Sequence, residues 1–190
     1  MTAPEFSVHT IAVSTAEQLQ QALAVRAAVF MSEQDCPYDE EFDGNDYCAT
    51  HVLALADARP AAAIRIRYFS DFAKLERLAV LKPFRGTPVT RAVVESAVEI
   101  CRRKGYARIY GHSQARLVGF WAKLGFQPLG RNRHFTFSDH AYVEIVRHLP
   151  PHRDAITMES DPYLIIRPEG AWDTPGILEH SAQRPVTSPH

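Results

Sequence analysis

The tightest constraint on this chain lies between Lys74 and Arg91, which read KLERLAVLKPFRGTPVTR. Leu75, Leu78, Ala79, Val80 and Leu81 form an apolar run that predicts a buried strand, broken at Lys82-Pro83 and followed by a helix from Thr87-Pro88. Thr87 is a good N-cap, and Pro88 at the first helical position gives up an N–H that the helix does not use. A strand that ends against a helix N-terminus makes an anion site. First-turn N–H groups lack helical acceptors, the dipole is positive there, and Arg85 and Arg91 add fixed charge. Phosphate is the natural guest.

A chain of 190 residues, 46% hydrophobic and 23% charged, has enough apolar surface for one substantial core. Its net charge of -1 gives no electrostatic case for nucleic acid or an anionic membrane surface. No apolar run approaches the ~20 residues needed to span a bilayer, and MTAPEFSVHT shows no basic region followed by an apolar segment. The expectation is a cytoplasmic protein. Three cysteines (Cys36, Cys48, Cys101) at no paired spacing fit reduced, buried thiols better than a disulfide framework. A zinc site from Cys36, Cys48 and His51 fits no usual ligand spacing, so no metal is expected.

From the start of the chain, Phe6 to Val13 predicts a first strand, and Ser14 with Glu17 has the capping-box spacing for a helix running to about Met31. Arg26 falls among the core positions of that helix and requires a carboxylate partner. Residues 33 to 46 then carry seven carboxylates with Pro37 and Gly44 as breakers, which predicts an irregular loop or short frayed helix. It reads as a solvated acidic loop or as a rim that steers a cationic amine inward. A calcium loop does not fit the spacing.

Thr50 to Leu55, Ala61 to Phe69 and the strand near residue 75 predict a three-strand meander. Arg65 and Arg67 share one face of it, facing an anionic substrate group or the acidic loop. A helix from Thr87 to about Lys104 ends at Gly105, a strand follows over 106–111 with His112-Ser113-Gln114 at its end, and a short helix runs over 115–124. Phe126 to Leu129 and Ala141 to Leu149 predict two last strands around an aromatic, basic loop. After Pro150-Pro151 the composition becomes proline-rich, with one strand-like run, PYLIIR, at 162 to 167. Tyr163, Leu164, Ile165, Ile166, Trp172 and Ile177 make the segment 150–190 too apolar for a free linker, so it should dock on the domain formed by residues 1–149 or on a second subunit as a homodimer.

ERLAVL at 76 to 81, FRGTPVT at 84 to 90 and ARLVGFWAKLGF at 115 to 126 give the chain a resemblance to the GCN5-related N-acetyltransferase (GNAT) family. Residues 25 to 46 and 112 to 114 look most like its ElaA-like branch. The resemblance implies an α/β (α+β) fold with a mixed, mostly antiparallel central sheet and helices on both faces. It also implies acetyl transfer from acetyl-CoA, as co-substrate, to a primary amine of a small molecule or a peptide. The pantetheine arm would pair with Leu78, Ala79 and Val80, and the pyrophosphate with Arg85, Gly86, Thr87, Val89, Thr90 and Arg91. Gln114 and Phe120 complete the implied cofactor contacts.

Two departures from the family pattern stand out. Pro88 and Thr90 replace small residues of the phosphate loop, and Trp121 stands where many members have a Tyr that protonates the leaving thiolate. These departures keep open a non-catalytic CoA-binding or protein-interaction module on the same fold. If transfer occurs, the amine must lose a proton. Glu76, Glu33 and His112 are the candidate bases, and His112, Ser113 or water the candidate proton sources for the thiolate. Glu76 also reads as an ion-pair partner of Arg26 or Arg77.

Overall fold

The computed structural model describes residues 6–130, 135–137, 140–181 and 183–185. Four strands, β1 (Val8–Ala12), β2 (Thr50–Ala56), β3 (Arg59–Tyr68) and β4 (Ala73–Val80), pair antiparallel in sequence order, so the predicted meander is present. A crossover through the helix α3 (Pro88–Arg103) then lays β5 (Arg108–Gln114) parallel to β4. The sheet is completed by β8 (His140–His148), antiparallel to β5, with β6 (Gln127–Pro128) and β7 (Phe135–Phe137) both on β8. Eight strands among the described residues, all but one neighbour pair antiparallel, bear out the expected mixed sheet.

Helices cover both faces. On one, α1 (Ala16–Ala27) continues through a π-helical stretch, Ala28–Ser32, and buries Ala22, Val25 and Val29 against Leu53, Ala63 and Ala79. On the other, α3 lays Val93, Val94, Ala97 and Cys101 over Val52, Ile64, Ile66 and Leu75, with Trp121 of α4 (Val118–Ala122) in the same core. Thr87 caps α3 with Pro88 in the first turn, as the sequence predicts.

Local chemistry moves several expected boundaries. The cap of α1 is Thr15 rather than Ser14: its hydroxyl accepts from the Gln18 N–H at 3.2 Å, and Gln18 Oε1 accepts from the Ser14 N–H at 2.9 Å. Gln18 thus does the work expected of Glu17, one residue later. His112, Ser113 and Gln114 lie within β5 rather than past its end, because each pairs with a residue of β8. Residues 115–117 form a 3-10 turn before α4. The basic positions 131–134 lie outside the described residues, but Phe135–Phe137 adds a strand in a stretch expected to be loop.

The run at 162 to 167 is a helix, α5 (Pro162–Ile166), rather than a strand. Asp161 Oδ1 accepts from the Tyr163 N–H at 2.8 Å and Pro162 occupies the first turn, so cap chemistry overrides the β-branched composition. A last helix, α6 (Ile177–Ser181), follows. The segment between them lies on the α3 face. Glu169 accepts from Lys104 Nζ at 3.0 Å and from the Tyr68 hydroxyl at 2.9 Å, and Arg103 pairs with Asp173 at 2.9 Å. Gly170 adopts φ +76, and a Cβ there would stand 2.6 Å from the Ala12 side chain, so only glycine permits this approach.

Trp172 is 6% exposed, with the Arg103 guanidinium 5.7 Å from its ring. Truncating this ring to alanine is expected to destabilise the fold by ~3 kcal/mol, read as a lower urea midpoint at unchanged slope. An unchanged midpoint would show that the segment's docking carries no stability.

Candidate active site

The site begins with a break in pairing. Ala63 opposes Ala79 and Arg65 opposes Glu76, so Ile64 alone faces both Arg77 and Leu78, and Arg77 adopts φ +55. This bulge bends β4 and reverses which face its side chains take. Beyond it β4 and β5 part: their parallel ladder covers only Ala73 to Leu75, ending at the Leu75–Gly111 pair. A gap therefore opens between residues 76–80 and 112–114. The Leu81 N–H is donated to Ala61 O on β3 at 3.0 Å, so alternation turns the peptide groups of Leu78 and Val80 toward the gap and those of Ala79 away from it. Leu78 and Val80 are half-buried against the α3-side core, while Ala79 is buried beneath α1.

At the end of the gap stands the N-terminus of α3. Gly86 takes φ +75 with open space where a Cβ would lie, and Thr87 Oγ donates to Phe84 O at 2.7 Å while accepting from the Val89 N–H at 3.4 Å. The Val89 side chain is in the core and Thr90 is half-buried. Arg85 donates from Nε to Val80 O at 3.0 Å and from Nη2 to Glu33 at 2.7 Å, so it closes the loop against the end of the first helix. The sequence places Arg91 beside this N-terminus, but its guanidinium donates to Lys123 O at 3.1 Å, away from the loop. Phe120 packs on Trp121, with ring centroids 5.4 Å apart.

On the α1 face a charged layer forms the floor of the gap. Arg26, fully buried, donates to Glu41 Oε1 at 2.6 Å and to Asp46 Oδ1 at 2.5 Å, meeting its need for a carboxylate. Arg65, equally buried, binds Asp43 at 2.7 Å, Asp46 at 2.9 Å and Glu76 at 2.9 Å. Arg77 reaches Glu41 Oε2 at 3.1 Å, and Lys74 Nζ lies 2.7 Å from Glu76 Oε2. The acidic segment is therefore not a solvated loop or a steering rim at these positions. Its helix α2 (Tyr38–Glu41) and the 3-10 turn Asp46–Cys48 press Glu41 and Asp46 into the sheet. Glu76 pairs with Arg65 and Lys74 rather than with Arg26 or Arg77.

Burial raises the pKa values of these carboxyls, but the cations outweigh it at Asp43, Asp46 and Glu76, whose pKa values lie below the usual range. At Glu41 burial prevails over the pull of Arg26 and Arg77, and the pKa is raised. Both Glu76 oxygens are engaged by cations, Oε1 by Arg65 and Oε2 by Lys74. His112 differs: burial first, and Lys74 next, lower its pKa to about 4, leaving a neutral imidazole. Ser113 is 1% exposed and donates to Gln114 O at 2.9 Å. Gln114 Nε2 donates to the Tyr142 hydroxyl at 3.4 Å.

Sequence reasoning did not single out Tyr110 and Glu144, although both face His112 from β5 and β8. Only the 34-residue strand pairing brings them together, so no local motif signals them. Of the cysteines, Cys101 alone is buried; Cys36 is partly exposed and Cys48 exposed. Among the described residues, no group of three or more His, Cys, Asp and Glu could hold a metal ion, and no helix is long and apolar enough to cross a membrane.

The pattern of the Acetyltransferase (GNAT) family matches residues 16–126. The uncharacterized protein YyaT of Bacillus subtilis (strain 168) is 34% identical over 118 residues, 60% of this chain and 80% of that one. ElaA of Escherichia coli (strain K12) is 30% identical over 118 residues, 59% of this chain and 76% of that one. The crystal structure of E. coli ElaA superposes with a TM-score of 0.65 over 76% of this chain and 100% of that one, at 24% identity. The PaiA N-acetyltransferase of Thermoplasma acidophilum, solved in complex with coenzyme A, gives 0.57 over 75% of this chain and 99% of that one, at 14% identity.

The charged layer makes stability depend on pH in a set direction. Asp43, Asp46 and Glu76 have lowered folded-state pKa values, so they stabilise the fold fully above their unfolded values near ~4 and lose that contribution as pH falls from there through the folded values; Glu41 opposes them. Urea midpoints should drop from pH 5 to pH 3, and Asp43→Asn should flatten that drop. An equally steep drop in the variant would remove Asp43 from the effect.

Proposed function

The chain belongs to the acetyltransferase (GNAT) family, and from that premise we propose that it transfers an acetyl group from acetyl-CoA directly to a primary amine of a small molecule or a peptide. The observation that carries this reading is the gap between β4 and β5, opened by the bulge at Arg77 and ending at the N-terminus of α3. A structural relative in complex with coenzyme A supports the choice of donor.

In this reading the pyrophosphate lies against Gly86 and the first turn of α3, where unpaired N–H groups and the dipole favour anions. The pantetheine amides pair with the peptide edge of Leu78 and Val80, which β5 does not cover and where Arg85 already donates to Val80 O, and an N–H on that edge stabilises the oxyanion. Arg85 supports this loop through Glu33, and in this reading Glu33 braces the loop. Glu76 anchors Arg65 and Lys74. The base is His112, the first residue of β5 past the last β4 pair, on the same face as Glu76. Its neutral imidazole takes a proton from the acceptor ammonium; the amine attacks the thioester carbonyl, the C–S bond breaks, and the second N–H proton neutralises the thiolate.

Trp121 favours a second reading, coenzyme A binding without transfer. Its ring is 9% exposed and packs edge-on to Phe126 at 5.1 Å, so the position of the family's acid serves the core.

Calorimetry with acetyl-CoA, followed by thiol release in the presence of spermidine, tyramine and a lysine peptide, separates the readings. Binding with thiol release is expected. No binding at millimolar acetyl-CoA would overturn the proposal, and binding without release would favour the second reading. His112→Gln should slow release ~100-fold while leaving acetyl-CoA binding intact. Because only neutral His112 accepts a proton, the acid limb of turnover should fall near pH 4 rather than at the free-imidazole value of ~6.5.

A further inference from the structure

His112 is tied to a chain of groups that the reaction as described does not use. Its Nε2 lies 2.7 Å from the Tyr110 hydroxyl, and that hydroxyl lies 2.8 Å from Glu144 Oε1. Glu144 is 8% exposed, and its Oε2 is buried with no hydrogen-bond partner among the described residues. The order of the strands produces this alignment. Tyr110 and His112 are two residues apart on one face of β5, and His112 stands directly opposite Glu144 on β8.

Proton counting fixes the direction of the chain. The Tyr110 hydroxyl donates its single proton to Glu144 Oε1. The Tyr110 oxygen then faces His112 as an acceptor, and the contact at 2.7 Å requires a hydrogen on Nε2. A neutral ring protonated at Nε2 carries its lone pair on Nδ1, for which no hydrogen bond is found among the described residues.

We infer that Tyr110 and Glu144 are positioning residues that hold His112 as the Nε2–H tautomer and so reserve Nδ1 to receive the acceptor's proton. This rests on the acetyl-transfer reading for its catalytic consequence, though not for the tautomer itself. The step balances: one ammonium proton moves to Nδ1, giving an imidazolium whose Nε2–H still donates to Tyr110, and the amine's freed electron pair forms the N–C bond. The arrangement resembles the way a buried carboxylate fixes a catalytic histidine in hydrolases, with a phenol between the two. Facing the ring are Lys74 and Glu76 from β4, Tyr110 and Gln114 from β5, Glu144 and Tyr142 from β8, and Phe135 from β7, whose ring centroid is 4.5 Å away.

The test uses the full chain with its histidines labelled with nitrogen-15, the His112 signals being those lost in His112→Gln. Long-range proton–nitrogen spectra at pH 7 should show wild-type His112 as a single neutral Nε2–H tautomer. Tyr110→Phe, which keeps the ring and the packing, should give mixed tautomers and slow thiol release at least ~10-fold with the KM for acetyl-CoA unchanged. Glu144→Gln can donate to Tyr110 and turn its proton round, so it should shift His112 toward Nδ1–H, with Glu144→Asp restoring the wild-type spectrum. An Nδ1–H tautomer or an imidazolium in the wild type overturns the inference, as do wild-type spectra in both Tyr110→Phe and Glu144→Gln. Altered tautomers with unchanged release would refute the catalytic consequence alone. Failure of the wild type to bind acetyl-CoA would instead defeat the acetyl-transfer reading, while the spectra still report on Tyr110 and Glu144.

Discussion

Arg77 holds a left-handed backbone conformation, φ +55, inside a strand, which costs an L residue roughly 1–2 kcal/mol. Its guanidinium offsets that cost by donating to Glu40 O and pairing with Glu41 and Asp43. The site depends on this one strained residue. Without the extra residue, Leu78 and Val80 would continue on the face of Glu76, and the ladder to β5 would have no reason to stop at Leu75. The bulge gives β4 two functions in sequence: before it, Lys74 and Glu76 line the charged face; after it, Leu78 and Val80 turn to the core and leave a peptide edge that β5 does not pair.

The charged layer is the necessary counterpart of that strain. Arg26, Arg65, Arg77 and Lys74 meet Glu41, Asp43, Asp46 and Glu76, four of each sign, with Arg67 at the margin 4.0 Å from Glu76, so the charges at its buried centre are closely matched. Removing any one partner would leave a desolvated charge, worth several kcal/mol, and this is why the acidic segment cannot lift away as a free loop. The same balance engages Glu41, Asp43 and Asp46 internally, while Glu33, Asp35, Asp39 and Glu40 of the segment stay exposed. The same layer engages both oxygens of Glu76, through Arg65 and Lys74, and holds its pKa below the usual range.

What the sequence reveals here is local chemistry. Thr87-Pro88 fixes the start of α3, the meander follows from alternation, and a lone Arg26 in an apolar stripe demands carboxylates wherever along the chain they lie. The misreadings occur where two local rules compete or where the partner is remote. Asp161 and Pro162 cap a helix within a β-branched run, and Gln18 replaces Glu17 as the reciprocal cap. Composition marks the acidic segment as exposed because nothing nearby in sequence shows that Arg65 lies beneath it. Tyr110 and Glu144 are invisible for the same reason: neither is unusual alone, and only register on β8 makes them a pair.

The contrast between the two ends of the gap follows from the size of each proton problem. A thiol of pKa ~8.5 leaving as thiolate at pH 7 is disfavoured by about 2 kcal/mol, which a reaction can bear without a dedicated acid. An alkylammonium of pKa ~10.4 must lose a proton before it can attack, and at pH 7 that costs about 4.6 kcal/mol. Trp121, on the thiolate side, is a packing residue against Phe126. In the proposed reaction the amine side falls to His112, whose Nε2 meets the Tyr110 hydroxyl, itself bonded to the buried Glu144. Ordered chemistry is found where the larger barrier lies, and the position left to plain packing is the one where an acid is worth least.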